Sequence, residues 1–150
     1  MGGGAEGKLN QKRGEKMNKK FVMSFVVMFV MAMLFGMLIH GMLLHDEYKK
    51  LSSVMRPESE AQKLFGIMIF AHVLIALGFT WIYMKGKEAT RPWLGQGLRY
   101  GIAVVVMMTI PTYLIYYVIM PFPSDLVAQQ VVLDSIGIIA MGIVLAWLNR

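Results

Sequence analysis

Asp134, His72, Tyr113 and Gln130 have the best claim to chemistry in this chain, because each lies inside a stretch that is otherwise apolar. An ionisable side chain in such a place is costly to bury, so it is paired, hydrated or in use. Asp134 falls eight residues into the apolar stretch 126–148, about 12 Å along a helix at 1.5 Å per residue. His72 falls eight residues past Leu64, which opens the stretch 64–84, and Tyr113 seven residues before the end of 100–120. If successive stretches cross in opposite directions, these three groups share one level. Gln130 lies one turn above Asp134 on the same helical face, and His40 one turn inside the end of 21–44. The spacing predicts a polar cluster of His72, Asp134, Tyr113 and Gln130, with His40 above it.

Three chemistries fit such a cluster. The first is a hydrogen-bond network that holds helices together. The second is a pathway for protons or a small solute, since Asp and His can pass protons within a membrane. The third is a bound metal or haem, for which His40 and His72 are the only histidines within apolar stretches. Met33, Met37 and His40 also share a helical face, and soft thioethers suit Cu(I). Methionine is equally an adaptable apolar filler, and no Met-rich loop offers capture of the ion. No cofactor is therefore expected, with haem and Cu(I) the two that these residues could hold.

The elements that must position these groups are the four apolar stretches 21–44, 64–84, 100–120 and 126–148. Each matches the roughly 20 residues a helix needs to cross a hydrocarbon core. Charged residues make up only 16% of the chain, and neither the N-terminal segment nor the loop 45–63 is long enough to build a second core. The stretch 21–44 exceeds a signal-peptide core and lacks a small-residue cleavage site, so it reads as an anchor. Residues 1–20 read as a disordered basic tail ahead of a single four-helix domain, 21–150. Arg13-Gly14-Glu15-Lys16-Met17 back-translates to a purine-rich ribosome-binding sequence just ahead of ATG, which predicts Met17 as the native start.

The net charge of +6 is gathered around the stretches in a way that points to lipid rather than nucleic acid. With the N-terminus inside, eleven Lys and Arg residues lie on the inner side and four on the outer. That bias predicts both termini in the cytoplasm. Trp81, Trp93 and Trp147 fall at the inner boundary, and Tyr48, Tyr116 and Tyr117 at the outer one. Tyr48, Leu51 and Met55 fit one face of a short interfacial helix. Ala32-x-x-x-Gly36, Gly97-x-x-x-Gly101 and Gly142-x-x-x-Ala146 predict close helix packing, within one bundle or between two copies. Pro111 predicts a kink, since it cannot bond the Met107 carbonyl. Ser124 is placed to cap the fourth helix, and Ser59-x-x-Gln62 resembles a capping box.

The absence of cysteine excludes disulfides, thiolate metal sites and cysteine nucleophiles. No nucleophile elbow, phosphate loop or zinc-protease pattern is present, so no enzymatic activity is expected. The strings LIHGMLLHDEY at 38–48, MRPE at 55–58, KGKE at 85–88, GLRYGI at 97–102, IP at 110–111 and MPFP at 120–123 run in a distinctive order. In that order the chain resembles a family of small bacterial four-span integral membrane proteins of uncharacterised function. The resemblance spans residues 17–150 and implies a four-helix bundle in the bacterial inner membrane, with no accepted activity. His40, Arg56, Arg99 and Pro111 match its pattern; His72 and Asp134 do not fall on it.

The sequence thus points to an all-α transmembrane four-helix bundle, N-in/C-in, serving as a non-catalytic structural or accessory subunit. The alternatives are a small oligomeric transporter or channel built on the polar cluster, and a haem-binding redox subunit. The expected partners are the lipid bilayer and either further copies or a larger membrane complex, with no nucleic acid.

Overall fold

A computed structural model of the chain describes the backbone of residues 3–150 and the side chains of residue 15 and residues 18–150. All regular structure among the described residues is helical. Helix α1 (Gly3–Gly36) runs on into a π-helical turn, π1 (Met37–Leu43), and the chain bends at Leu44 into the short α2 (His45–Lys50). After α3 (Glu58–Lys63) comes α4 (Phe65–Gly86). The third long helix is α5 (Trp93–Val104), a second π-helical turn π2 (Val105–Thr109) and α6 (Ile110–Ile119); the last is α7 (Ser124–Leu148). Four segments are long and apolar enough to cross a membrane: Asn18–Leu43, Phe65–Gly86, Trp93–Ile119 and Ser124–Leu148.

Helix α1 begins at Gly3, where the sequence pointed to a disordered tail over 1–20. Extending a helix that an apolar segment has already nucleated costs far less than starting one. Ala5, Glu6, Lys8, Leu9, Gln11 and Lys12 are all good helix formers. Residues 1 and 2 of that tail lie outside the described residues.

The core sits in one half of the bundle. Met28, Ala32, Ala76, Phe79, Tyr83, Met141, Leu145 and Ala146 are buried together there. Helix α1 packs on α4 and α7, and α5 packs on α7. Tyr100 of α5 closes the ring by donating a hydrogen bond from its hydroxyl to the Phe79 carbonyl, at 2.6 Å. The other half is looser: α6 has no buried residue, and Phe65, Ile67, Met68 and Phe70 of α4 are exposed. A smaller cluster of Ile39, Leu44 and Leu126 lies under α2, with Tyr48 and Leu51 against it. Met55, expected on that same face, is exposed.

The tightest contact is the seam between α5 and α7, where the small residues face one another within the chain. A Cβ on Gly97 would lie 2.7 Å from the Gly142 carbonyl oxygen and 2.8 Å from the Ala146 Cβ. One on Gly101 would lie 2.7 Å from the Ile139 Cα. Only residues without a side chain let the backbones approach so closely. Ala32 is in the core and Gly36 faces His72, so the third small-residue pair packs α1 on α4.

Pro111 finds its accommodation in π2. The Ile110 amide donates to the Val105 carbonyl, five residues back, and the wider turn absorbs the bond that proline cannot make. The capping expectations give way to proline as well. Pro123 and Pro57 occupy the cap positions of α7 and α3, which places Ser124 and Ser59 inside their helices with no side-chain cap. Gln62 bonds Glu58 at 3.4 Å instead of closing a capping box.

At the core end, Asn149 donates from Nδ2 to the Ser24 hydroxyl (2.8 Å) and the Leu145 carbonyl (2.9 Å), joining the end of α7 to α1. The loop between α4 and α5 is organised around Glu88. Its carboxylate accepts hydrogen bonds from Arg99 (3.0 Å) and Arg91, and its amide donates to Gln96 Oε1 at 2.7 Å. Arg99 and then Arg91 hold the Glu88 carboxyl below its ordinary value. The depressed value means that the ion pairs stabilise the loop above the usual carboxylate range and are lost as pH falls through the lowered one. The side chain is 42% exposed, so solvent screens most of that energy. Arg99→Gln should raise the Glu88 titration midpoint, read by NMR of its carboxyl carbon; an unmoved midpoint would remove Arg99 from the account.

Candidate functional site

In the looser half, five polar side chains from four elements are joined by three hydrogen bonds and one charge contact, between His40 and Asp134. Gln130 of α7 donates from Nε2 to the Tyr48 hydroxyl of α2, at 2.9 Å. The Tyr48 hydroxyl lies 2.7 Å from His40 Nδ1 in π1. His40 Nε2 lies 3.4 Å from Asp134 Oδ1 of α7. The Tyr113 hydroxyl of α6 donates to Asp134 Oδ2.

The direction of each bond follows from the ends. A carboxylate only accepts, so His40 carries a hydrogen on Nε2 and Tyr113 donates. In the neutral imidazole, Nδ1 is then the acceptor, and the Tyr48 hydroxyl donates to it. Burial pushes the Tyr48 phenol above its ordinary value; the Gln130 hydrogen bond opposes that and the Asp134 charge adds to it. Tyr48 therefore keeps its proton and remains a donor. One polar atom of these side chains, Gln130 Oε1, is buried without a partner.

Both π-helical turns bear on this geometry. His40 sits within π1, and π2 lies one helical turn ahead of Tyr113. A π turn holds more residues than an α turn, so it rotates everything beyond it around the helix axis. That rotation separates His40 from Met33 and Met37. Met37 is 69% exposed, whereas His40 turns towards Asp134, so the shared face expected for Cu(I) is not formed.

His40, Tyr113, Gln130 and Asp134 come together, with His40 joined directly to Asp134 rather than standing above it. His72 does not join them. Its Nδ1 donates to the Met68 carbonyl at 2.8 Å, and its Nε2 faces Gly36 of α1. Counting residues fixes depth along a helix but not direction around it, and α4 packs chiefly on α1. Both ring nitrogens of His40 are engaged and His72 points elsewhere, so bis-histidine haem ligation would require both side chains to reorient. Among the described residues, no three His, Cys, Asp or Glu side chains converge as a metal site.

Tyr48 is the member that sequence reasoning placed at the membrane boundary and not in the cluster. Its signal was its position eight residues after His40 across the bend at Leu44, which folds α2 back over π1. Compared with known protein families, curated proteins and solved structures, the chain matches none of them.

Proposed function

We propose that this chain is an integral protein of the bacterial inner membrane with both termini cytoplasmic, serving as a non-catalytic structural or accessory subunit. One observation carries the reading. The polar chain stops at Tyr113 and Asp134, and the other half of the bundle is filled by Met28, Ala32, Ala76, Phe79, Met141 and Leu145 around a glycine-packed seam. A solute or proton would have to cross that largely apolar half, where unpaired charges are disfavoured. Helix α6, with no fully buried residue, leaves Leu114–Ile119 exposed for lipid or a partner helix.

The competing reading is a small oligomeric transporter or channel. What favours it is the accessibility of the ionisable pair, whose side chains are 36% (His40) and 19% (Asp134) exposed. Such a pathway would run along a seam between copies rather than through one chain.

Two measurements test these readings. The cysteine-free sequence allows single-cysteine labelling without background. With both termini inside, Ser52→Cys should react with an impermeant maleimide in intact cells, and Ala89→Cys only after permeabilisation; the reverse pattern would overturn the orientation. Native mass spectrometry of protein from its own membranes should show a second polypeptide bound. A pure homo-oligomer with pH-driven flux that Asp134→Asn abolishes would replace the accessory reading with the transport one.

A further inference from the structure

The hydrogen-bond chain has a property that a purely structural network does not need: it can be satisfied in two directions that differ by one proton. We propose that Gln130, Tyr48, His40 and Asp134 form a binding site for a single proton taken from the face that α2 covers, with the Gln130 amide turning over when the proton binds. The inference goes beyond the accessory role and does not depend on it.

In the arrangement described above, the bonds run from Gln130 Nε2–H to Tyr48 and from Tyr48 O–H to His40 Nδ1, and His40 Nε2 faces the Asp134 carboxylate at 3.4 Å. The His40–Asp134 pair carries a net charge of −1, and Gln130 Oε1 has no donor. One added proton forms an N–H bond at His40 Nδ1, and no bond breaks. Imidazolium beside carboxylate makes the pair neutral overall, which suits an apolar surrounding better than a lone negative charge. Nδ1–H must now donate, so the Tyr48 oxygen becomes its acceptor and the Tyr48 hydrogen needs a new one. Gln130 Oε1 supplies it once the amide rotates by half a turn, which exchanges the oxygen and nitrogen at nearly constant shape. The atom left over in the unloaded state is therefore the acceptor that the loaded state requires. Residue Gln130 is only 4% exposed, so few other donors can reach that oxygen.

Access is one-sided. His40 is partly exposed beneath α2, while the far half of the bundle is a packed apolar core. The titratable groups facing His40 are Asp134 from α7 and Tyr48 from α2, with Tyr113 of α6 acting through Asp134. From α4, His72 is turned onto its own helix. The charges on the outer surface of α2 are paired among themselves, Asp46 with Lys49 and Glu47 with Lys50, with Asp125 of α7 also near Lys50. None of these supplies a cation that could hold Asp134 ionised in place of His40.

The test is nitrogen NMR of the full chain in lipid nanodiscs, with the His40 and Gln130 side chains resolved by single substitutions. From about pH 9 to about pH 4, His40 Nδ1 should change from a bare to a protonated nitrogen in a single step, and the Gln130 amide signals should move with the same midpoint. In Tyr48→Phe, His40 should still titrate but the Gln130 signals should no longer follow. In Gln130→Met, the loaded state loses the acceptor for the Tyr48 hydrogen, so the midpoint should fall by about one pH unit, a tenfold loss of proton affinity. A His40 that does not titrate in this range, or that titrates while Gln130 in the unaltered chain stays still, would overturn the proposal.

Discussion

Replacing Gly142 with alanine should destabilise the bundle by about 1–3 kcal/mol, and replacing it with leucine should prevent α5 and α7 from closing at all. The reason is what the new carbon would meet. A Cβ on Gly142 would lie 2.6 Å from the Gly97 carbonyl oxygen, 3.0 Å from the Gly101 nitrogen and 3.1 Å from its Cα. All three are backbone atoms of a helix and cannot step aside singly. Gly36→Ala provides the contrast, because its nearest neighbour is the His72 ring at 3.2 Å, a side chain able to shift by a few tenths of an ångström. Gly78→Ala provides the control, since no atom lies within 4 Å of the added carbon. Unfolding in mild detergent should rank the three as Gly142 far worst, Gly36 nearly neutral and Gly78 neutral or stabilised. If Gly142→Ala unfolds no earlier than Gly78→Ala, the seam is not the principal contact.

Asp134→Leu should pull two properties apart. Insertion of α7 should improve, because aspartate at a helix centre costs roughly 2.5–3.5 kcal/mol whereas leucine gains roughly 0.3–0.6. Cohesion of the bundle should weaken, because the Tyr113 hydroxyl loses its acceptor and His40 its charge partner. Interhelical hydrogen bonds in membranes average about 0.6 kcal/mol and reach about 1.7. The loss of cohesion is thus about 1–2 kcal/mol, one interhelical bond plus the longer His40 contact. Helix α7 already carries twelve Leu, Ile and Val residues over 126–148, so insertion is not its limiting step and the cohesion loss should dominate stability. A double-mutant cycle with Tyr113→Phe isolates the Tyr113 bond, and a coupling energy near zero would remove it from the network.

The four spans were legible because a bilayer imposes length and apolarity on anything that crosses it. The small-residue pairs were legible for a related reason: Gly97, Gly101 and Gly142 permit an approach that other residues forbid. Depth arithmetic put Tyr113 and His72 near the level of Asp134, and of these two Tyr113 meets it. Direction around each helix was not legible, and it decided the partner of Asp134. Two π-helical turns rotate His40 and Tyr113 relative to an ideal helix, and no residue type in Met37–Leu43 announces such a turn. Pro111 did announce a disturbance in the third span, but its form there, a wide turn before the proline, depends on how the freed carbonyls find other donors. Ser124 and Ser59 misled because the prolines before them took the cap positions. Tyr48 was hidden by the bend at Leu44, which brings a residue from outside the span onto a residue within it.

The buried bond between Asn149 and Ser24 joins positions 125 residues apart, and it sets the order of events during synthesis. Helix α1 is made well before α7, so Ser24 and Met28 find their buried partners Asn149 and Leu145 only once α7 has been made. Until then α1 can pair with α4 but not with α7, and its polar Ser24 has no Asn149 to meet. The earlier helices must wait in the membrane half-assembled until α7 arrives to cover the open face of α1.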